Sequence, residues 1–301
     1  MIHLFALLSL LLCGVCYTGF QNSSHFHNTS NRRSLLLLVF GGALLLRLLL
    51  AYTTHGFSND IACFAAWADR IFTLGPGQFY SAEMFTDYPP GFMYVLYLIG
   101  ALRSLLQIPY YSDLHILLLK SPAILCDIAC GFLLYREAVK RLHFSDLQGI
   151  FAASAYLFQP AVILNSSCWG QVDSVYTLMI ILMCLFLMKG NLLPAYAVYG
   201  LGVLLKPQML IFTPVLLAGI WDHVFLQDFS WRKFFYNLCG GLVVICGMLL
   251  LCAPFGLTAA ISQYTSTLGS YEYAAINAYN FWGLLGMNWV DQNTIFLFLP
   301  C

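Results

Sequence analysis

The chain has 301 residues, of which 60% are hydrophobic and only 9% are charged, and its mean hydropathy is +0.79. A soluble domain carries about 25% charged residues, so this composition excludes a water-soluble protein and predicts a polytopic, all-α membrane protein. The formal net charge is zero, which gives no reason to expect a nucleic-acid partner. The 11 cysteines are scattered through apolar runs without metal-ligand spacing, so we expect small buried hydrophobic residues rather than a metal site.

The N-terminal segment, residues 1–33, is an apolar stretch followed by a polar linker, and residues 34–301 are predicted to form one transmembrane domain. No basic residue opens the apolar stretch, as a cleaved signal peptide would require, so we expect an uncleaved first span. Arg32 and Arg33 precede the apolar run 35–50, and such basic residues favour the cytoplasmic side. The loop after this run is therefore predicted to lie outside the cytoplasm.

That loop, from Phe57 to Gly91, is neither apolar enough to span a bilayer nor polar enough to be a plain connector. Its first part has apolar residues at helical spacing but is short and charged, which predicts a helix lying along the membrane interface. Asp60 stands at the start of this helix, and Asp87 stands just before Pro89-Pro90-Gly91, which predicts another helix start. Each acid is either a residue that complements a helix end or a residue that takes part in chemistry.

Further apolar runs predict a bundle of membrane helices, at residues 91–107, 113–135, 148–164, 173–188, 192–205, 208–221 and 234–255. After a loop over 256–290, a last apolar run is too short to span before the chain stops at Cys301, so we expect a truncated chain.

The basic cluster Arg136–Arg141 raises a question of topology. Two apolar runs separate it from the outer loop, and two crossings would return the chain to the outside. Either one of the two runs is re-entrant, or the cluster breaks the positive-inside rule.

Charged residues inside predicted spans need partners, because an unpaired charge in a bilayer is costly. Arg47 lies deep in the run 35–50, where it is paired, faces a wet cavity, or extends to the headgroups. Lys120 and Asp127 share one face of a predicted helix but lie about 10 Å apart at a rise of 1.5 Å per residue. That distance is too long for a direct ion pair, so we expect each of them to have another partner.

A polar island, Asn165–Ser174, interrupts two apolar runs. Asp173 stands where the next helix begins, and backbone N–H groups there could hold an anion or orient a sugar hydroxyl. The indole of Trp169 and the amide of Gln171 favour a binding role over an ordinary loop and cap, which is the alternative.

A second polar position is Lys206-Pro207-Gln208, between two apolar runs. A single lysine there could offset the charge of a phosphate, or it could be a lysine that extends to the headgroups. Near the end of the chain, Asn277, Asn280 and Trp282 lie in an aromatic loop that could bind a sugar. The alternative for this loop is an interfacial aromatic belt.

Taken in order, these motifs resemble one family. The motifs are the acid in the first outer loop, Tyr88-Pro-Pro-Gly91, Trp169-Gly-Gln-Val-Asp-Ser174, Lys206-Pro-Gln208 and Asn277-Ala-Tyr-Asn-Phe-Trp-Gly283. Over residues 35–290 the chain resembles the C-type (GT-C) membrane glycosyltransferases. It is most similar to the bacterial mannosyltransferase-like proteins related to GPI mannosyltransferase II.

The resemblance implies transfer of a sugar, with mannose expected, from a polyprenyl- or dolichyl-phosphate donor to a hydroxyl of a glycan, lipid or protein acceptor. It places the reaction on the extracytoplasmic or luminal face of a bacterial plasma membrane, or of the endoplasmic reticulum in a eukaryote. It implies that Asp60 is catalytic and that Lys206 and Arg47 meet the donor phosphate. The residues expected to position substrate are Asp87, Trp169, Gln171, Asp173, Gln208, Asn277, Asn280 and Trp282.

Relatives often carry two acids where this chain has Asn59-Asp60, and a single acid is less suited to bridging a metal. The sequence therefore predicts no particular cofactor, and a divalent metal is an open alternative. The main alternative function is a transporter or flippase of lipid-linked sugars, and a further one is a scaffolding membrane protein. Transporters usually hold substrate near the bilayer midplane, often between internal repeats. Here the polar residues gather at loops and helix starts, and no clear repeat is present, so the sequence favours the transferase.

Overall fold

A computed structural model of the chain describes residues 2–23, 32–80, 85–227, 229–269, 273–275, 281–291, 293, 295–296 and 299–300. These residues form a helical bundle apart from two strands of two residues each, which agrees with the predicted all-α class. The helices are α1 (Ile2–Ser23), α2 (Arg32–Thr53), α3 (Ser58–Leu74), α4 (Pro90–Leu105), α5 (Asp113–Lys140), α6 (Asp146–Leu157), α7 (Pro160–Ile163), α8 (Asp173–Met188), α9 (Leu192–Leu205), α10 (Thr213–Trp221), α11 (Trp231–Cys252), α12 (Leu257–Gly269) and α13 (Phe281–Leu284).

Short helical turns of other types extend or join these helices. Three are 3-10 turns, at Pro76–Gln78, Pro207–Phe212 and Ala253–Phe255, and two are π-helical turns, at Leu164–Trp169 and Asp222–Leu226. The strands β1 (Ile295–Phe296) and β2 (Leu299–Pro300) pair antiparallel.

Several helical stretches are suited to a bilayer. Within the described residues, four are long and apolar enough to cross a membrane: Arg32–Thr53, Asp113–Lys140, Pro207–Leu226 and Trp231–Phe255. A fifth is added if α6 and Pro160–Trp169, which are bent by 50° against each other, count as one broken span. These helices support the predicted membrane protein.

α2 and α5 are antiparallel and define the two ends of the bundle. At one end, Arg32 Nε lies 3.2 Å from Asp146 Oδ1 and donates to the Tyr135 hydroxyl oxygen at 3.0 Å. At the other end, His55 Nδ1 lies 3.6 Å from Asp113 Oδ1. We call the first the basic end, because the cluster Arg136–Arg141 follows Tyr135 there, and the second the site end.

The interfacial region at the site end consists of α3 and α4, which lie side by side and run in the same direction. Their rings Phe64 and Phe92 meet near the helix starts, with centroids 5.6 Å apart, and Asp69 pairs with Arg103 near the helix ends. The Tyr110 ring, just before α5, lies 5.6 Å from the guanidinium carbon of Arg103. α4 therefore leads back to the start of α5 without reaching the basic end.

This course of α4 bears on the question of topology. The run predicted at 91–107 stays at the site end, so α5 is the one helix that leads from the site end to the cluster Arg136–Arg141. The basic residues that flank α2 and α5 consequently lie at one end, as the positive-inside rule predicts.

The later helices alternate between the same two ends. α8 descends to Lys189, whose Nζ lies 3.7 Å from Glu137 Oε1 at the basic end. α9 returns to the site end, where Lys206 pairs with Asp173. α11 begins at the basic end with Arg232, which lines a cavity there together with residues from the start of α9.

An aromatic core holds α3 and α4 together beneath the site. Phe64, Trp67, Tyr88 and Phe92 are all buried, and the ring centroids of each contacting pair lie 5.6 or 5.7 Å apart. Each such pair contributes about 0.5–1.5 kcal/mol beyond the area that it buries. The start of α3 is therefore fixed relative to the loop that precedes α4.

Candidate functional site

A cavity at the site end brings together five of the nine predicted site residues that the structure describes. Its volume is about 210 Å³, and it is bounded by the start of α3, the loop before α4, the loop before α8 and the residues after α9. The predicted residues that line it are Asp60, Asp87, Gln171, Lys206 and Gln208, and the other lining residues are Cys63, Phe64, Trp67, Phe85 and Tyr88. We call this space the site cavity.

The carboxylate of Asp60 is held by two residues of the polar island. Trp169 Nε1 donates to Asp60 Oδ2 at 3.0 Å, and Gln171 Nε2 donates to the same oxygen at short range. No described hydrogen bond involves Oδ1. One oxygen therefore fixes the orientation of the carboxylate, while the other is available to a ligand in the cavity.

The backbone before α3 places Trp169 over Asp60. Phe57 N donates to the Trp169 carbonyl oxygen at 2.9 Å, and the two rings lie with centroids 5.0 Å apart. Gly56 makes this approach possible: its φ is +80°, and a Cβ there would lie 2.7 Å from the same carbonyl oxygen. The predicted start of this helix near Asp60 is confirmed, because α3 begins at Ser58.

Lys206 enters the site cavity from the residue that follows α9. Its ammonium pairs with the carboxylate of Asp173 and lies 5.7 Å and 5.6 Å from the ring centroids of Tyr88 and Tyr176. Asn165 Nδ2 donates to the other oxygen of Asp173 at 2.9 Å. The side chain of Lys206 is only 12% exposed, so a lysine that extends freely to the headgroups is excluded.

Lys120 fixes the π-helical turn that carries Trp169. This fully buried ammonium donates to the carbonyl oxygen of Thr54 at 2.7 Å, at the end of α2, and to that of Ser167 at 2.9 Å. It also donates to the carbonyl oxygens of Ala51 at 3.3 Å and Cys168 at 3.4 Å. As expected from the sequence, Lys120 has partners other than Asp127. π-helical turns are rare and often occur at functional sites.

Asp127 is the centre of a buried polar network. Ser174 Oγ and Tyr156 OH donate to its Oδ1 at 2.5 and 3.2 Å, and Ser166 Oγ donates to its Oδ2 at 2.6 Å. Arg47 Nε donates to the same Oδ2 at 3.1 Å, and neither Arg47 nor Asp127 is exposed. This network joins α2, α5, α6 and α8 to the π-helical turn.

The network corrects the expectation for Arg47. Its guanidinium does not line the site cavity and does not extend to the headgroups, because it is buried against Asp127 inside the bundle. Of the three possibilities left open for this charge, the paired one is confirmed. The predicted role of Arg47 in meeting a donor phosphate is therefore withdrawn.

Of the three predicted residues of the C-terminal loop, the structure describes Trp282 alone. Trp282 lies in α13 and is absent from the cavity lining, so its expected place in the sugar pocket is not supported. Asn277 and Asn280 lie outside the described residues.

The cavity has an acidic wall beside a thiol. Burial, together with the nearby carboxylates of Asp87 and Asp60, raises the pKa of Cys63 above its ordinary value of 9.0. Among the residues that the structure describes, no group of three or more His, Cys, Asp or Glu side chains could hold a metal ion. Two carboxylates and one ammonium nevertheless share the cavity, so its charged groups can act on a hydroxyl and on an anion.

Sequence reasoning missed the aromatic contacts of Lys206. In the sequence, Tyr88 belongs to the motif Tyr88-Pro-Pro-Gly91, and Tyr176 falls within the apolar run 173–188. Their spacing to Lys206 along the chain gives no signal, since the three side chains come from different elements.

The sequence was compared with protein-family models and with curated proteins, and neither comparison found a match. The resemblance to the GT-C transferases therefore stays a prediction that depends on the motifs themselves. The class that the fold supports is a membrane protein built from a helical bundle with a polar cavity at one end.

Proposed function

We propose that this chain is a membrane glycosyltransferase of the GT-C kind. It moves a sugar, with mannose as the expected one, from a polyprenyl- or dolichyl-phosphate donor to an acceptor hydroxyl. One observation carries the proposal: Asp60, Asp87, Gln171, Lys206 and Gln208, which the sequence singled out separately, line a single cavity.

The size of the site cavity fits part of a donor better than a whole one. At about 210 Å³ it is smaller than the roughly 300–1,000 Å³ of sites that enclose drug-sized ligands. A single sugar ring and its phosphate can enter, while a long lipid chain stays in the surrounding bilayer. This division supports a lipid-linked donor that presents its sugar at the membrane surface.

In the proposed step, the acceptor oxygen attacks the anomeric carbon of the sugar, and the bond from that carbon to the phosphate oxygen breaks. Asp60 Oδ1 orients the acceptor hydroxyl and accepts its proton. The electron pair of the broken bond goes to the lipid phosphate, whose negative charge Lys206 offsets. An ammonium has three N–H donors, so Lys206 can bind a phosphate oxygen while it keeps its contact with Asp173.

The two ends of the bundle support the proposed side of reaction. The basic residues Arg32, Arg136, Arg141 and Lys189 lie at the end opposite the cavity. Positive residues favour the cytoplasm, so the cavity opens on the extracytoplasmic or luminal side. Single cysteines placed at Asp173 and Lys206 in a chain without other cysteines should react with a membrane-impermeant maleimide from outside.

The test is sugar transfer in membranes that contain the expressed chain and are given radiolabelled polyprenyl-phosphate-mannose. Asp60→Asn keeps the size of the side chain but removes its charge, and we expect transfer to fall more than about 10²-fold. The matched control is Asp113→Asn, which removes an exposed carboxylate from the same end of the bundle. Equal transfer by Asp60→Asn and the control would exclude the proposed role of Asp60.

Two further measurements distinguish the transferase from a transporter or flippase, and a metal-dependent reaction from a metal-independent one. If a fluorescent lipid-phosphate sugar crosses proteoliposome membranes without any product forming, the chain is a transporter or flippase. Loss of transfer on treatment with EDTA, and its recovery with Mg²⁺ or Mn²⁺, would establish the divalent metal that the sequence leaves open.

A further inference from the structure

The site cavity is too small to hold two substrates, so the acceptor needs a second binding surface. In the proposed reaction, one sugar ring and its phosphate occupy the cavity of about 210 Å³, and Lys206 meets the phosphate there. In a direct displacement, the acceptor oxygen approaches the anomeric carbon opposite the departing phosphate. An acceptor site is therefore expected beside Asp60, on the side that faces away from Lys206.

An exposed pair of aromatic rings lies beside Asp60. Phe57 and Trp169 are 41% and 48% exposed, their ring centroids lie 5.0 Å apart, and the ring planes are tilted by 33°. Neither is among the described residues that line the site cavity. Asp60 connects this pair to the cavity, because it lines the cavity and accepts a hydrogen bond from Trp169 Nε1. We call Phe57 and Trp169 the aromatic platform.

The backbone holds the aromatic platform in one arrangement. Phe57 N donates to the Trp169 carbonyl oxygen at 2.9 Å, which fixes the start of α3 against the π-helical turn. The buried ammonium of Lys120 donates to two carbonyl oxygens of that turn, at 2.9 and 3.4 Å. A surface that is already ordered loses little conformational entropy when a ligand binds. The platform is therefore suited to a ligand with one flat apolar face.

Polar groups surround the aromatic platform, which distinguishes it from an interfacial aromatic belt. The side chain of His55, two residues before Phe57, is 80% exposed, and its Nδ1 lies 3.6 Å from Oδ1 of Asp113, which is 52% exposed. Charged groups are costly in hydrocarbon, so rings placed among them face water rather than acyl chains. A polar ligand with one apolar face suits this setting, and a hydrocarbon tail does not.

We propose that the aromatic platform is the acceptor site and that the acceptor is a sugar ring of a glycan. One face of a sugar ring carries C–H groups that pack on an aromatic ring, and its edge carries hydroxyls that donate to carboxylates. Ligand sites commonly combine aromatic surface with a few placed polar groups. With its ring on the platform, the acceptor directs one hydroxyl to Asp60 Oδ1, which no described hydrogen bond occupies. This inference rests on the proposed transferase function and names its acceptor class.

The platform favours a glycan over a peptide or a simple lipid as the acceptor. A serine or threonine of a peptide, or the glycerol of a lipid, presents its hydroxyl without a ring that could cover Phe57 and Trp169. A sugar can cover both rings and presents several hydroxyls at once. The acceptor class is thus decided by the two rings and not by Asp60, which could act on any hydroxyl.

The test gives the membranes radiolabelled polyprenyl-phosphate-mannose with acceptors of three classes: methyl glycosides of common hexoses, a peptide rich in serine and threonine, and diacylglycerol. We expect transfer to a glycoside. Phe57→Ala should raise the KM for that glycoside about 3- to 10-fold, the scale of one aromatic contact, and Phe57→Tyr, which keeps a ring, should raise it far less. The matched control is Tyr97→Ala, which removes a ring of α4 that is also 41% exposed and packs against the ring of Phe72.

Binding of the same glycosides to the purified full chain, measured by saturation-transfer NMR, requires no activity. If Phe57→Ala weakens this binding but no acceptor ever receives mannose, the proposed transferase function is wrong and the sugar site stands. If mannose is transferred but Phe57→Ala raises the glycoside KM no more than Tyr97→Ala does, the transferase stands and the platform is not its acceptor site. The inference is equally overturned if no glycoside binds, if only the peptide or diacylglycerol receives mannose, or if the KM for the donor rises as much as that for the glycoside.

Discussion

Arg47→Met is the substitution whose cost follows most directly from the structure. The guanidinium is not exposed, its Nε donates to Asp127 Oδ2 at 3.1 Å, and an Nη donates to the Ala43 carbonyl oxygen at 3.3 Å. Methionine fills much of the same volume but leaves the carboxylate buried without its counter-charge. Removing one partner of such a pair costs about 3–5 kcal/mol, and we expect a loss of this size in the free energy of unfolding.

The assay is equilibrium unfolding in mixed micelles with increasing dodecyl sulfate, followed by tryptophan fluorescence. Asp127→Asn alone should cost a similar amount, because it leaves Arg47 unpaired. The double variant should be more stable than the sum predicts, by about 1–3 kcal/mol, since the two side chains interact directly. Strictly additive costs, or a cost of Arg47→Met below about 0.5 kcal/mol, would refute the buried pair.

The same pair of variants tests the withdrawn role of Arg47. If Arg47 only stabilises the fold, the double variant should regain sugar transfer as it regains stability. If the double variant is stable but still transfers nothing, while its affinity for the donor is lost, Arg47 contacts the donor phosphate after all.

Three further predictions concern the site cavity. Trp169→Phe keeps an aromatic ring but removes the N–H that donates to the carboxylate of Asp60, so sugar transfer should slow about tenfold or more. An unchanged rate would show that this hydrogen bond does not contribute to transfer. In a chain whose other cysteines are serine, maleimide should label Cys63 only at raised pH, because the thiolate reacts and the pKa is raised. Asp87→Asn should shift labelling to lower pH, and an unmoved pH profile would exclude its electrostatic effect. Gly91→Ala should cost about 1–3 kcal/mol, since its Cβ would lie 2.5 Å from a carbonyl oxygen of α9; Gly247→Ala, which meets open space, should cost nothing.

The sequence predicts the helices and the polar residues at their ends well, because both depend on the local pattern of residues. Apolar runs place α5, α8 and α9 within a few residues of their observed bounds, and α8 begins at Asp173 as expected. The sequence also indicates Asp60 and Lys206 as candidate site residues, because charged residues in an otherwise apolar membrane protein are costly and often functional. These signals can all be seen without knowing which elements are neighbours.

What the sequence could not supply are pairings between distant elements. Arg47 and Asp127 are 80 positions apart, so nothing in the local pattern distinguishes a buried pair from a phosphate ligand. α4 was equally ambiguous, since an apolar helix of 16 residues can cross a thin part of a bilayer or lie beside another helix. It lies beside α3 through the ring contact of Phe64 with Phe92 and the ion pair of Asp69 with Arg103, which only the folded chain brings together.

The state of each carboxylate decides which one can take part in chemistry. Asp127 accepts hydrogen bonds on both oxygens from four side chains inside the bundle, so it can accept no further proton donor without breaking one of them. Asp173 is engaged on both oxygens as well, by Lys206 and Asn165. Asp60 differs, because both of its described donors bind Oδ2 and none binds Oδ1. A carboxylate that is oriented through one oxygen and open at the other can meet a substrate hydroxyl without first losing a structural contact, and this is why we propose Asp60, and not Asp127 or Asp173, as the residue that accepts the proton.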